Sequence, residues 1–230
     1  MELFLRRAVF PAIPLTQMPS PMLLLCCLLA VALPSSFAEQ TQEAYAQQDA
    51  DALRALMNAA DSRADSLLVR YRLYPLTENE AVLEGIPDEL PSGSARELAL
   101  LSGLWAYRAG EASVFRVVQY GRRSNNLLEA AKKADPDGPY VLLVESQSLL
   151  FRPAIAGRDP AAAVDRLETL SRHIQSDPAI GIADAEAQTW LWLALREADQ
   201  MERAESLYER LQKQSLAPLY REFLRNPPDV

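Results

Sequence analysis

Three prolines, Pro136, Pro178 and Pro218, fall 42 and 40 residues apart. Ahead of each lies a small residue followed four positions later by a large one: Ser124 and Leu128, Ala163 and Leu167, Ala204 and Tyr208. The small residues are themselves 39 and 41 apart. Two features thus report one period, and a chain with such a period builds itself from repeated supersecondary units that stack on their neighbours. Four residues span about one helical turn, so each small–large pair shares one helix face. The small side chain lets a second helix approach to about 8–10 Å, and the large one fills the groove beside it. Leucine and alanine far outnumber valine, isoleucine and threonine, and only 8 of 230 residues are glycine, which favours helix and offers little for a sheet. The fold class expected is all-α.

The first 38 residues read as a leader. Arg6 and Arg7 supply positive charge, and the 12 residues from Met22 to Leu33 are apolar without charge or proline. A permanent transmembrane helix needs about 20 apolar residues, so this run fits the core of a cleavable signal peptide. Ser36-Phe37-Ala38 places small residues where a signal peptidase reads them, which predicts cleavage after Ala38 and a destination in the bacterial periplasm or envelope. A lipid anchor at Cys26 or Cys27 is the rival reading, disfavoured because the residue before Cys26 is Leu25, which is not small. Both cysteines fall within the leader, so the mature chain would carry no thiol or disulfide chemistry.

Behind the leader, residues 39–74 are polar and alanine-rich, with Leu53, Leu56, Met57, Leu67, Leu68, Tyr71 and Leu73 at helical spacing. They predict one short and two longer helices capped near Asp49 and Asp61, the last stopped by Pro75. Residues 75–94 hold Pro75, Gly85, Pro87, Pro91 and Gly93, an irregular connector with one helical turn near residues 78–83. Ser94 and Glu97 form a capping box that opens a helix over 95–110. A second helix over 111–134 would bury Val114, Val117, Val118, Leu127 and Leu128. Further helices follow at about 140–151, 160–175, 183–198, 201–213 and 218–224, punctuated by Asp159-Pro160 and Asp177-Pro178. Residues 95–225 are the repeat array and residues 226–230 a disordered tail.

These features resemble the tetratricopeptide-repeat family, whose unit is a helix hairpin carrying a small residue, a bulky residue one turn later and a closing proline. The last unit matches best, through Leu191, Leu195, Ala204, Tyr208, Leu211 and Pro218. The middle unit offers Ser146, Leu149, Ala163 and Leu167; the first offers Ala112, Phe115, Ser124, Leu128, Ala131 and Pro136. Two departures stand out: Trp192 where one register wants a small residue, and an insertion at residues 152–157. The resemblance implies an α-solenoid whose inner side, lined by first helices, docks a protein or peptide. In the family register its solvent-facing positions would be Tyr140, Leu143, Gln147, Leu150, Thr189, Leu193 and Arg196.

The sequence argues against catalysis. Its single histidine, His173, stands near a helix end beside Arg172, where positive charge suits the helix dipole. No calcium loop, H-E-x-x-H helix or phosphate-cradling glycine loop is present, so no cofactor or metal is expected. A net charge of −8 disfavours nucleic acid. The cluster from Tyr120 to Asn126 contains Arg122 and Arg123, a candidate anion site. Trp105, Trp190 and Trp192 are expected to be core. The leading expectation is therefore a non-catalytic envelope scaffold that binds a protein or peptide, with self-association left open. The alternative is a periplasmic small-ligand receptor serving uptake, its pocket formed by the Arg122 region or the tryptophans.

Overall fold

The structure, a computed structural model, describes residues Ser35–Val230. Among them are ten α-helices and no strand. The helices are α1 (Phe37–Ala46), α2 (Ala50–Ala59), α3 (Arg63–Thr77), α4 (Ala95–Gly110), α5 (Val114–Ala134), α6 (Pro139–Phe151), α7 (Pro160–Ser176), α8 (Asp184–Glu197), α9 (Met201–Gln212) and α10 (Pro218–Arg225). The leader's charged and apolar segments, with Cys26 and Cys27, lie outside the described residues.

Local chemistry sets most of these boundaries. The Ser94–Glu97 box is formed, with the Glu97 amide donating to Ser94 Oγ and the Ser94 amide to Glu97 Oε2 at 2.8 Å. Asp49 caps α2 and Asp159 caps α7, each through a carboxylate accepting an amide three residues on. Ser62, not Asp61, caps α3. Asp177 caps the 3₁₀ turn Pro178–Ile180, and α8 starts only at Asp184. Pro75 does not end α3 but sits inside its last turn. Only the final residues follow it, the Thr77 hydroxyl donates to the Leu73 carbonyl, and Glu78 closes the helix in the left-handed region at φ 47°.

Helices α4 and α5, α6 and α7, and α8 and α9 form three antiparallel hairpins. Ser102 and Ser124 exchange hydroxyl-to-carbonyl bonds across the first, at 2.8 and 2.9 Å. Arg166 donates to buried Glu145 across the second, and Trp192 packs on Tyr208 across the third. Of the small residues in the repeat pattern, Ser124, Ser146, Ala163 and Ala204 are buried. Ala112 falls in the turn after α4 and is only half-buried, and Phe115 begins α5, so the first unit does not follow the family register. Helices α3 and α4 run parallel: Arg63 pairs with Glu97 near their starts, and Tyr74 in the last turn of α3 donates to Glu111 just past the end of α4. Arg96 lies over Tyr140 near the starts of α4 and α6.

The connector does not set the amino-terminal helices apart. Its Leu83, Ile86 and Leu90 are buried in the main core, and residues Ser35–Val230 form one compact unit. Helix α3 is enclosed on all sides: Leu67, Leu68 and Tyr71 face the main core while Val69 and Leu73 join Ala44 and Leu53 in a smaller one. Beyond α10 the chain carries no helix, yet Val230 packs on the main core. Helix α5 corrects a further expectation. Leu127 and Leu128 are buried, but Val117 and Val118 are exposed and Phe115 is 94% exposed; the side chain of Val114 lies outside the described residues. Helix α5 packs on α4 from Tyr120 onward, where Tyr120 meets Trp105 and Ser124 meets Ser102, while residues 115–119 face solvent.

Candidate functional site

The inner face of α3, α4, α6 and α8 gathers the buried polar side chains. Arg72 stands in Leu67–Tyr74, a stretch buried at nearly every azimuth of α3. Its Nη2 donates to Glu186 Oε2 at 2.9 Å and its Nη1 to Oε1, a bidentate pair in which each residue is 1% exposed. The Arg72 side chain of α3 thus reaches Glu186 of α8 although α4 and α6 intervene in the row, so the row of first helices curls enough to bring the two together. Burial works against the Arg72 charge, but the Glu186 carboxylate outweighs it and raises the guanidinium well above its ordinary pKa.

Tyrosines surround the pair. The Arg72 guanidinium carbon lies 4.7 Å from the Tyr45 ring centre and 5.5 Å from that of Tyr71. The Tyr71 hydroxyl donates to Gln147 Oε1, and Tyr107 stacks between Tyr71 and Tyr74. Tyr140 donates to the Gly181 carbonyl at 3.0 Å, and Gln42 Nε2 donates to the Tyr220 hydroxyl. Burial pushes the Tyr45 phenol up to about 12 and raises Tyr71, Tyr107, Tyr140 and Tyr220 above the ordinary phenol value. All five are neutral near pH 7, so the site is a neutral hydrogen-bonding shell around one fixed ion pair. Among the described residues, four buried polar side-chain atoms have no partner: Gln42 Oε1, Arg72 Nε, and Arg96 Nε and Nη2. The two Arg96 atoms are the side-on edge of the guanidinium, the one that grips a carboxylate with two bonds.

Helix α1 lies across this face. Its Gln42 reaches α10, its Tyr45 covers Arg72, and a Cβ built on Gly181 would stand 2.5 Å from Ala38 Cβ, so only glycine there lets α1 settle so close. Ser36 caps α1 through a capping box with Glu39. The predicted cleavage point after Ala38 therefore lies in the first turn of α1.

The docking positions drawn from the repeat register are not open to solvent as expected. Tyr140, Leu143, Leu150, Thr189 and Leu193 are buried. Gln147 is half-buried against Tyr71, and Arg196 lies over Trp192 at 5.0 Å. Tyr140, Leu143, Leu150 and Leu193 belong to the main core, so the family register does not mark an open surface here. Arg123 is committed to Asp88 at 2.5 Å and to the Trp105 ring at 4.5 Å, while Arg122 is exposed beside it. Trp105 is core and donates to the Pro87 carbonyl; Trp192 is core, and Trp190 lies between Phe151 and Phe223. His173 is half-buried in the last turn of α7.

Sequence reasoning missed Arg72, Glu186, Gln42, Tyr45 and Tyr220. A signal for Arg72 was present: Leu67, Leu68, Val69, Tyr71, Leu73 and Tyr74 surround it on nearly every azimuth of α3, so its charge must have a partner. Nothing local pointed to Glu186, 114 residues away. Among the described residues no group of three or more His, Cys, Asp or Glu side chains is placed to hold a metal ion. No family model, curated protein or solved structure matches the chain.

Proposed function

We propose that this chain is a non-catalytic interaction scaffold of the bacterial envelope, exported by its leader, whose inner face takes up a helical segment of a protein partner. One observation carries the reading: α1, a helix of the same chain, already lies on that face, held mainly by two polar anchors and small side chains. A partner helix with an amide at the Gln42 position, an aromatic ring at the Tyr45 position and small residues at the Ala38, Ala44 and Ala46 positions would satisfy the same groups. The link from α1 to α2 is the short turn Gln47–Asp49, in which Gln48 is exposed at φ 58°.

The test introduces a protease site between Gln47 and Gln48, cleaves the folded chain, and adds a fluorescent peptide of residues 35–47. Exchange of the labelled peptide for α1, abolished by Gln42→Ala with Tyr45→Ala in the peptide, is the expected result. Failure of any peptide to enter after cleavage removes the inner face as a docking surface.

A second reading, a receptor for a small carboxylate ligand, is favoured by the buried, unpaired edge of Arg96. It predicts a rise in melting temperature with a small carboxylate, lost in Arg96→Gln; no rise across a carboxylate panel excludes it. For the export route, mass spectrometry of the envelope-isolated protein reads the amino terminus directly. A start at Glu39 means that the Ser36 cap is lost on maturation, and an acylated cysteine would replace the cleavage reading with the lipid anchor.

A further inference from the structure

Exposed large hydrophobics concentrate at one end of the array. First helices α4, α6 and α8 run parallel, so the turns that follow them lie together, neighbouring hairpins being about 10 Å apart. Phe115, Val117 and Val118 begin α5, Phe151 ends α6, and Ile155 tops the loop that follows. Phe115 is 94% exposed and Ile155 fully so. Ile155 rides the 3₁₀ turn Ala154–Ala156, which Gly157 closes at φ 86°.

Charge at this end runs against the rest of the chain. The segment 112–128 contains Arg116, Arg122 and Arg123, and the segment 146–158 contains Arg152 and Arg158; neither has a single aspartate or glutamate, in a chain with 31. Some of this charge is committed, Arg123 to Asp88 and Arg158 to Glu197, while Arg152 bonds to Ser148. Arg116 and Arg122 are exposed. Carboxylates border the patch at its edges: Glu111, bonded to Tyr74, with Glu80 and Glu84 beside it, and Asp159, spent on the α7 cap. The third turn differs, since exposed Met201 there is flanked by Asp199 and Glu202. The basic apolar surface is therefore confined to the first two hairpins.

We propose that this end is a peripheral membrane-contact surface for anionic phospholipid. Its apolar residues are convex points at the start of a helix and the summit of a loop. A fluid interface admits such points without a complementary groove, and arginines beside them meet the lipid phosphates. Among the described residues no helix is long and apolar enough to cross a membrane, so contact here is with the interface. The surface lies at the helix ends, away from the inner face, and the proposal stands or falls independently of segment docking there.

Sedimentation with vesicles tests it, using the envelope-isolated chain with the same amino terminus in wild type and variants. Wild type should partition onto phosphatidylglycerol–phosphatidylcholine vesicles at least about tenfold better than onto phosphatidylcholine alone, and less so as salt rises. Phe115→Ser with Ile155→Ser, and separately Arg116→Gln with Arg122→Gln, should each lower that partition about tenfold or more. Melting temperatures should not move, because these side chains are exposed. Equal binding to both vesicle types, or variants that bind like wild type, overturns the proposal. So does concentration-dependent self-association of the wild type that Phe115→Ser abolishes, which would make the patch a protein interface.

Discussion

The inner face and the hairpin tips break the usual partition of side chains in opposite directions. At the inner face Arg72, Glu186 and the tyrosines Tyr71, Tyr140 and Tyr220 are withdrawn from water; at the tips Phe115 and Ile155 stand in it. Burial of the polar set is tolerable because nearly every group has a partner, with Arg72 and Glu186 satisfying each other across the row. Exposure of the apolar set costs little folding stability, because those residues contribute almost no burial to lose. Mutations should therefore be severe where the chain is polar and nearly silent where it is apolar, the reverse of intuition from composition.

The sharpest break in that comparison is at the ion pair. Glu186→Leu leaves the Arg72 charge buried without a counterion and should destabilise by about 3–5 kcal/mol in urea unfolding. Arg72→Met combined with Glu186→Leu removes both charges and should recover most of the loss. A double variant no better than the single would mean that the pair itself holds the row closed.

Glycine-to-alanine changes probe the two regions with one chemical step. At Gly103 in α4 the added Cβ would stand 2.5 Å from Tyr71 Cε2, on a ring whose hydroxyl is held by Gln147. Gly103→Ala should cost about 1–3 kcal/mol despite the better helix propensity of alanine. At Gly121, in α5 near the tips, nothing lies within 4 Å of the added atom. Gly121→Ala should stabilise by about 0.5–1 kcal/mol. Equal signs in thermal melts would erase the contrast between a packed and an open helix.

The smallest effect lies where α3 and α4 begin. A hydrogen bond from Arg63 lowers the Glu97 carboxyl to about 2, from an ordinary 4.5. A depressed folded-state value stabilises above the unfolded value and loses that contribution as pH falls, so the loss should run from about pH 4.5 down to about pH 2. Glu97→Gln keeps a side chain able to close the capping box and should flatten this part of the melting-temperature profile. An unchanged acid limb would show that the pair contributes nothing to folding.

The helices were legible because their signals are local. Ser94 with Glu97, Asp49, Asp159-Pro160 and the 40-residue rhythm each act within a few turns, and the structure places α4, α6, α7 and α9 within a residue or two of their predicted bounds. Pro75 misled because a proline in the last turn of a helix forfeits little. Val117 and Val118 misled because helical spacing fixes which face they share, while only tertiary packing decides whether anything covers that face.

What the sequence determined by itself is the all-helical hairpin plan, since capping, propensity and small–large spacing operate over one or two turns and require no distant partner. Only the tertiary structure decided what each face meets. The curl that joins Arg72 to Glu186 and the overlay of α1 on the inner face arise from contacts across as many as 178 residues of chain, as between Gln42 and Tyr220. No local pattern encodes such pairings, because side chains so far apart in sequence are brought together only by the packing of every helix between them.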